Sequence, residues 1–98
     1  MFKVIKRDGQ VADFNLTKIN DVIMKAFCAC EKQYTNEIID LLALRVTADF
    51  QSKVKDGQIS VEDVQDSVET VLEQAGYTDV AKAYILYRKN REKIGNMQ

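Results

Sequence analysis

The chain has no histidine, no proline and no tryptophan, and only two cysteines and four glycines. Without histidine, the commonest general base and the commonest zinc ligand are both missing. No Ser/His/Asp or Cys/His nucleophile set can be assembled either. Cys28-Ala29-Cys30 is the one cysteine pair. It lacks the two further ligands that zinc needs, and its side chains diverge by about 200° on a helix, so they do not readily bridge. They read as small buried or half-buried hydrophobes. With glycine only at 9, 57, 76 and 95, neither Gly-x-x-x-x-Gly-Lys-Ser/Thr nor Gly-x-Gly-x-x-Gly can be written. Any phosphate must then be held by side chains and helix starts. No apolar run approaches the length of a membrane span, and no signal-peptide pattern opens the chain, so a cytoplasmic, reduced protein with no membrane partner is expected.

What is present is one small domain of 98 residues, 46% hydrophobic and 30% charged, which suits a single globular core. Residues 1–95 read as that domain and 96–98 as a polar tail. The net charge of −1 does not favour direct nucleic-acid binding, but it hides a division. Residues 1–33 carry six basic and four acidic side chains, residues 34–79 three and ten, and residues 80–98 five and one, giving +2, −7 and +4. If the two ends of the chain meet, their cations converge in a way that suits a compact polyanion. Terminal segments that are simply richer in Lys and Arg give the same distribution.

Val4-Ile5-Lys6-Arg7-Asp8-Gly9 followed by Gln10-Val11-Ala12-Asp13-Phe14 reads as strand, turn and strand. Parity selects the loop. An odd-length loop, Arg7-Asp8-Gly9 with Gly in the left-handed region, puts Phe2, Val4, Lys6, Phe14 and Leu16 on one face. A two-residue loop would oppose Phe2 and Val4 to Asp13 and Asn15 and split the apolar set.

Four helices follow. Asn15 or Thr17 caps the first, and Ile19, Val22, Ile23, Ala26, Phe27 and Cys30 form its apolar stripe. Lys18 lies in its first turn, where a cation opposes the helix dipole unless an anion is bound nearby. Asn36 can cap the second, which is apolar on more than one face and reads as a central helix packed on both sides, ending near Asp56-Gly57. Gln58 and Ile59 form a short connection. Ser60 caps the third helix, with Val61, Val64, Val68, Val71, Leu72 and Ala75 on one face and Asp63, Asp66, Glu69 and Glu73 on a solvated one. After Gly76, Thr78 caps a fourth helix running to Ile94. Its stripe of Val80, Ala81, Tyr84, Tyr87, Arg88 and Arg91 passes from apolar to phenolic to guanidinium. Rings grading into arginines suit a planar group carrying phosphates. A helix whose tyrosines close the core and whose arginines complement its dipole gives the same pattern.

Taken together, Val4-Ile5-Lys6-Arg7-Asp8-Gly9, Phe14-Asn15-x-x-Lys18-Ile19, Val61-Glu62-Asp63-Val64-Gln65-x-x-Val68-Glu69 and Ala81-Lys82-Ala83-Tyr84-Ile85-x-Tyr87-Arg88-x-x-Arg91 resemble the ATP-cone, the nucleotide-sensing regulatory domain of ribonucleotide reductases. The last segment is most similar to the cone of the anaerobic ribonucleoside-triphosphate reductase. The resemblance implies an α+β, mainly α fold, with an N-terminal β-hairpin covering a four-helix bundle. It implies a non-catalytic, allosteric role: ATP or dATP, with Mg²⁺, bound between hairpin and helices, acting on the reductase catalytic domain through conformation, self-association and oligomeric state. By position, Lys6, Arg7 and Lys18 meet phosphates, and Asn15 is among the binding residues. Val4, Phe14 and Ile19 border base or sugar, Val61 and Gln65 flank the nucleotide, and Tyr84, Tyr87, Arg88 and Arg91 close the site. Some cones carry an acidic ligand contact in the second strand, at about the place where this chain has Ala12. A related repressor joins a cone to a four-cysteine zinc ribbon, which this chain does not have. The alternative to a nucleotide site is a ligand-free helical protein-interaction module that uses the Tyr/Arg helix.

Overall fold

The computed structural model describes the backbone of residues 2–97 and the side chains of residues 2–90. β1 (Lys3–Ile5) and β2 (Val11–Asp13) pair antiparallel with Val4 opposite Ala12. The Lys6 amide donates to the Gln10 carbonyl at 2.7 Å and the Gly9 amide to the Lys6 carbonyl at 2.9 Å, which leaves Arg7-Asp8-Gly9 as the loop. Gly9 has φ 88°, a region costly for residues with a Cβ, and the Gln10 amide donates to Asp8 Oδ1 at 2.9 Å. The odd-length loop expected from parity is the one that forms. Phe2 and Phe14 meet on one face with ring centroids 4.6 Å apart, and Lys3 pairs with Asp13 on the other.

A third strand, β3 (Gln58–Ser60), pairs parallel to β1 with Ile59 beside Val4, giving the order β2-β1-β3. The short connection expected at Gln58-Ile59 is therefore part of the sheet. Asp56 and Gly57, with φ of 54° and 73°, turn the chain into it, while Lys55 and Gln58 exchange backbone hydrogen bonds at 2.9 Å.

Four helices complete the fold: α1 (Leu16–Ala29), α2 (Asn36–Phe50), α3 (Val61–Gln74) and α4 (Thr78–Met97). Asn15 caps α1 by accepting from the Thr17 amide at 2.9 Å, and Ser60 caps α3 by accepting from Asp63 at 3.1 Å. The cap of α2 is Thr35, not Asn36: Thr35 Oγ1 accepts from the Ile38 amide at 3.2 Å, and Asn36 is already helical.

The core sits between the helices, with Ile23, Phe27, Val46, Val68 and Leu72 among its fully buried side chains. Burying each such side chain contributes about 1.5–3 kcal/mol. Phe2 and Phe14 cap this core by packing edge-on against Phe50, at 5.4 and 5.5 Å. α2 packs on both α1 and α3, but its further apolar residues Leu41 and Leu44 are 59% and 57% exposed. A corner helix of a four-helix arrangement has two neighbours, so its outer row stays in solvent. No helix among the described residues is long and apolar enough to cross a membrane.

Candidate functional site

α1, α3 and α4 enclose a cleft of about 350 Å³. α1 supplies Lys18, Ile19, Asp21, Val22 and Lys25, α3 supplies Val61, Val64 and Gln65 from its first turns, and α4 supplies Tyr84 and Tyr87. The floor is apolar: Ile19, Val64 and Tyr84 are buried. The two tyrosine rings lie near parallel, 29° apart in tilt, with centroids at 6.3 Å. Lys25 Nζ stands 6.0 Å from the centroid of Tyr87, within reach of a cation–π contact. Burial pushes the Tyr84 phenol well above the ordinary tyrosine range, against the opposing pull of Arg88.

The hairpin reaches this cleft through Arg7. Its Nη2 donates to Gln65 Oε1 at 2.8 Å and its Nη1 lies 3.4 Å from Glu62 Oε1. From the other end of the chain, Arg88 Nη2 donates to the Glu62 carbonyl at 3.5 Å. The two basic ends thus converge on the first turns of α3.

Of the residues singled out in the sequence, Lys18, Ile19, Val61, Gln65, Tyr84 and Tyr87 line the cleft, and Arg7 contacts its rim. Lys6 is exposed at the end of β1, beside the turn. Val4 lies at the centre of the sheet between Ala12 and Ile59, and Phe14 belongs to the aromatic cap over Phe50. The side-chain oxygen of Asn15 serves the α1 amides. Arg88 turns toward α3, where its Nη1 donates to Asp66 Oδ1 and Glu69 Oε1, each at 2.8 Å. Burial disfavours its charge, but the two carboxylates outweigh that and hold its pKa above the usual arginine value. Asp66 and Glu69 are therefore counterions to Arg88, not only a solvated face. The side chain of Arg91 lies outside the described residues. Cys30 is half-buried, whereas Cys28 is exposed, and both are free thiols.

Sequence reasoning missed Asp21, Val22, Lys25 and Val64 as cleft residues. Val22 and Val64 read as core because their spacing is that of the core stripe. Lys25 and Val22 follow Lys18 by seven and four residues, which places them on its face; that spacing was the available signal for Lys25.

A hairpin tied by Arg7 to a four-helix fold, with an apolar and aromatic cleft bordered by Lys18, Asp21 and Lys25, is the class of domain this chain presents. The chain belongs to the ATP-cone family, whose model, described as the ATP cone domain, matches residues 2–93. It is 42% identical over 96 residues to the ribonucleoside-diphosphate reductase subunit alpha of Chlamydia pneumoniae, covering 92% of this chain and 9% of that protein. It is 41% identical over 97 residues to the vitamin B12-dependent ribonucleoside-diphosphate reductase of Thermoplasma acidophilum, covering 94% and 12%. The anaerobic ribonucleoside-triphosphate reductase of Haemophilus influenzae is 34% identical over 94 residues, covering 93% and 13%. Over the whole chain, then, the likeness to the anaerobic reductase is accompanied by higher identities to these diphosphate reductases. The chain spans about a tenth of the length of the curated relatives it matches.

Proposed function

We propose that this chain is a non-catalytic allosteric domain that binds ATP or dATP and regulates a ribonucleotide reductase. The observation that carries this reading is the cleft between α1, α3 and α4, where an apolar, tyrosine-walled floor lies within reach of Lys18, Lys25 and Arg7. A nucleoside matches the floor and the tyrosine rings, and a triphosphate matches the cations. Lys6, at the same hairpin end as Arg7, adds a further positive charge for the phosphates. Magnesium would arrive on the phosphates, as is usual for that ion. Among the described residues, no group of three or more His, Cys, Asp or Glu stands together to cage it.

The chemistry is binding and population shift. Each nucleotide acts on the reductase catalytic domain by stabilising a different conformation or assembly, including self-association of the chain. ATP and dATP differ by one hydroxyl, so a polar group placed at that hydroxyl is what would separate them. The test is calorimetry of the 98-residue chain with Mg²⁺ and ATP, dATP or GTP. Saturable binding of an adenine nucleotide is expected, weakened by Lys18→Ala without loss of fold. Absence of any adenine-nucleotide binding refutes the reading.

A further inference from the structure

Arg7 is not an idle cation at the cleft. Among its contacts, its guanidinium lies 3.4 Å from the carboxylate of Glu62 and donates to the amide oxygen of Gln65 at 2.8 Å. Gln65 and Val61 line the cleft, and Glu62 lies between them in sequence, so this contact stands at the rim. Phosphate oxygens and carboxylates compete for the same guanidinium fork. Glu62 gains nothing by following Arg7 toward a phosphate, because its carboxylate and the phosphate repel one another, and its backbone is fixed in the first turn of α3.

We propose that Glu62 is an intramolecular competitor of the nucleotide. By holding Arg7, its carboxylate sets the affinity of the cleft for ligands whose phosphates reach that guanidinium. Arg7 has five N–H donors and can keep Gln65 while exchanging Glu62 for a phosphate. The exchange costs the Arg7–Glu62 attraction, and that cost falls only on ligands long enough to require it. Nucleosides do not bear it. Glu62 therefore raises the triphosphate concentration at which the cleft fills. Exposed ion pairs of this kind change an equilibrium by about two- to five-fold, less at high salt. The inference rests on the reading of the cleft as a nucleotide site.

The test compares wild type with Glu62→Gln in calorimetry with Mg-ATP and with adenosine, at low and high salt. A thermal melt establishes that both are folded. The expected result is an ATP Kd about two- to five-fold lower in Glu62→Gln, an unchanged adenosine affinity, and a difference that shrinks as salt rises. In an Arg7→Met background the gain is expected to vanish. If wild type binds ATP and Glu62→Gln binds it equally or more weakly, the inference is overturned and the nucleotide site stands. A gain that survives Arg7→Met also overturns it, because Glu62 would then act on the phosphates and not through Arg7. A wild type that binds no adenine nucleotide overturns the site and this inference with it.

Discussion

Replacing Arg88 by methionine keeps the aliphatic stem and removes the charge that joins α4 to α3. The Arg88 side chain is only 16% exposed and donates to Asp66 and Glu69, which are 52% and 24% exposed. A hydrogen bond between charged groups contributes about 1.5–3 kcal/mol, whereas an exposed ion pair contributes about 0.2–1 kcal/mol. The Glu69 contact belongs toward the first range and the half-exposed Asp66 contact in the second. Methionine also leaves two carboxylates on one face of α3 without a counterion. A loss of about 2 kcal/mol follows, or about 8–16 °C in Tm for a domain of this size. Urea unfolding at pH 7, followed by circular dichroism, measures it. Glu69→Gln, alone and combined with Arg88→Met, gives the coupling, expected at about 1 kcal/mol. A loss below about 0.5 kcal/mol, or no coupling, refutes the clamp. If Arg88→Met instead kept its stability but lost ATP affinity, the guanidinium would be serving the ligand.

Three further outcomes are expected. Asn15→Ala costs about 1 kcal/mol through loss of the α1 cap, while Asn15→Asp keeps stability and favours the helix dipole; equal unfolding midpoints for wild type and alanine would refute the capping role. Phe14→Ala costs about 2–3 kcal/mol, toward the lower end of Phe→Ala losses because the ring is half-buried against Phe2 and Phe50, and Phe14→Leu restores most of it in the same urea assay. Burial raises the Tyr84 pKa in the folded state, so its contribution to stability is complete below about pH 10 and is lost as pH rises through the folded value. Ultraviolet titration of the four tyrosines should show late components from Tyr34, raised by its hydrogen bond with Cys28, and from Tyr84; Tyr84→Phe is expected to remove the latest of them, and an unchanged titration in that variant would refute the assignment.

The hairpin was legible because parity is a strict constraint: only an odd loop gathers Phe2, Val4 and Phe14 on one face. β3 was not legible. It has three residues and one buried side chain, Ile59, so it offers no alternation, and its partner β1 is remote in sequence. Thr35 and Asn36 are both good caps, and only the placement of Thr35 Oγ1 against the Ile38 amide separates them. α2 carries more apolar residues than its two neighbours can cover, and composition does not say which row is left outside. At the cleft, the stripe on α4 sets Tyr84 and Tyr87 side by side. Consecutive residues on a helix are about 100° apart, so Arg88 faces away from Tyr87 and toward the acidic side of α3. The pattern of residue types alone could not reveal that Asp66 and Glu69 waited there.

Phe2 and Phe14 pack the open end of the hairpin onto Phe50, and β3 ties β1 to the segment that leads into α3. The turn end reaches the first turns of α3 through Arg7, and α4 reaches the same turns through Arg88. Both arginines act on Glu62, one at its carboxylate and one at its carbonyl. The Arg88 contact is backed by two further carboxylates, whereas Glu62, the carboxylate facing Arg7, is 59% exposed. An anion entering the cleft therefore meets unequal resistance. On the proposed reading of the cleft, exchanging Glu62 on Arg7 for a phosphate costs an exposed ion pair, while drawing Arg88 away would leave Asp66 and Glu69 uncompensated. The proposal therefore places the exchange at the Arg7–Glu62 contact and not at the Arg88 cluster.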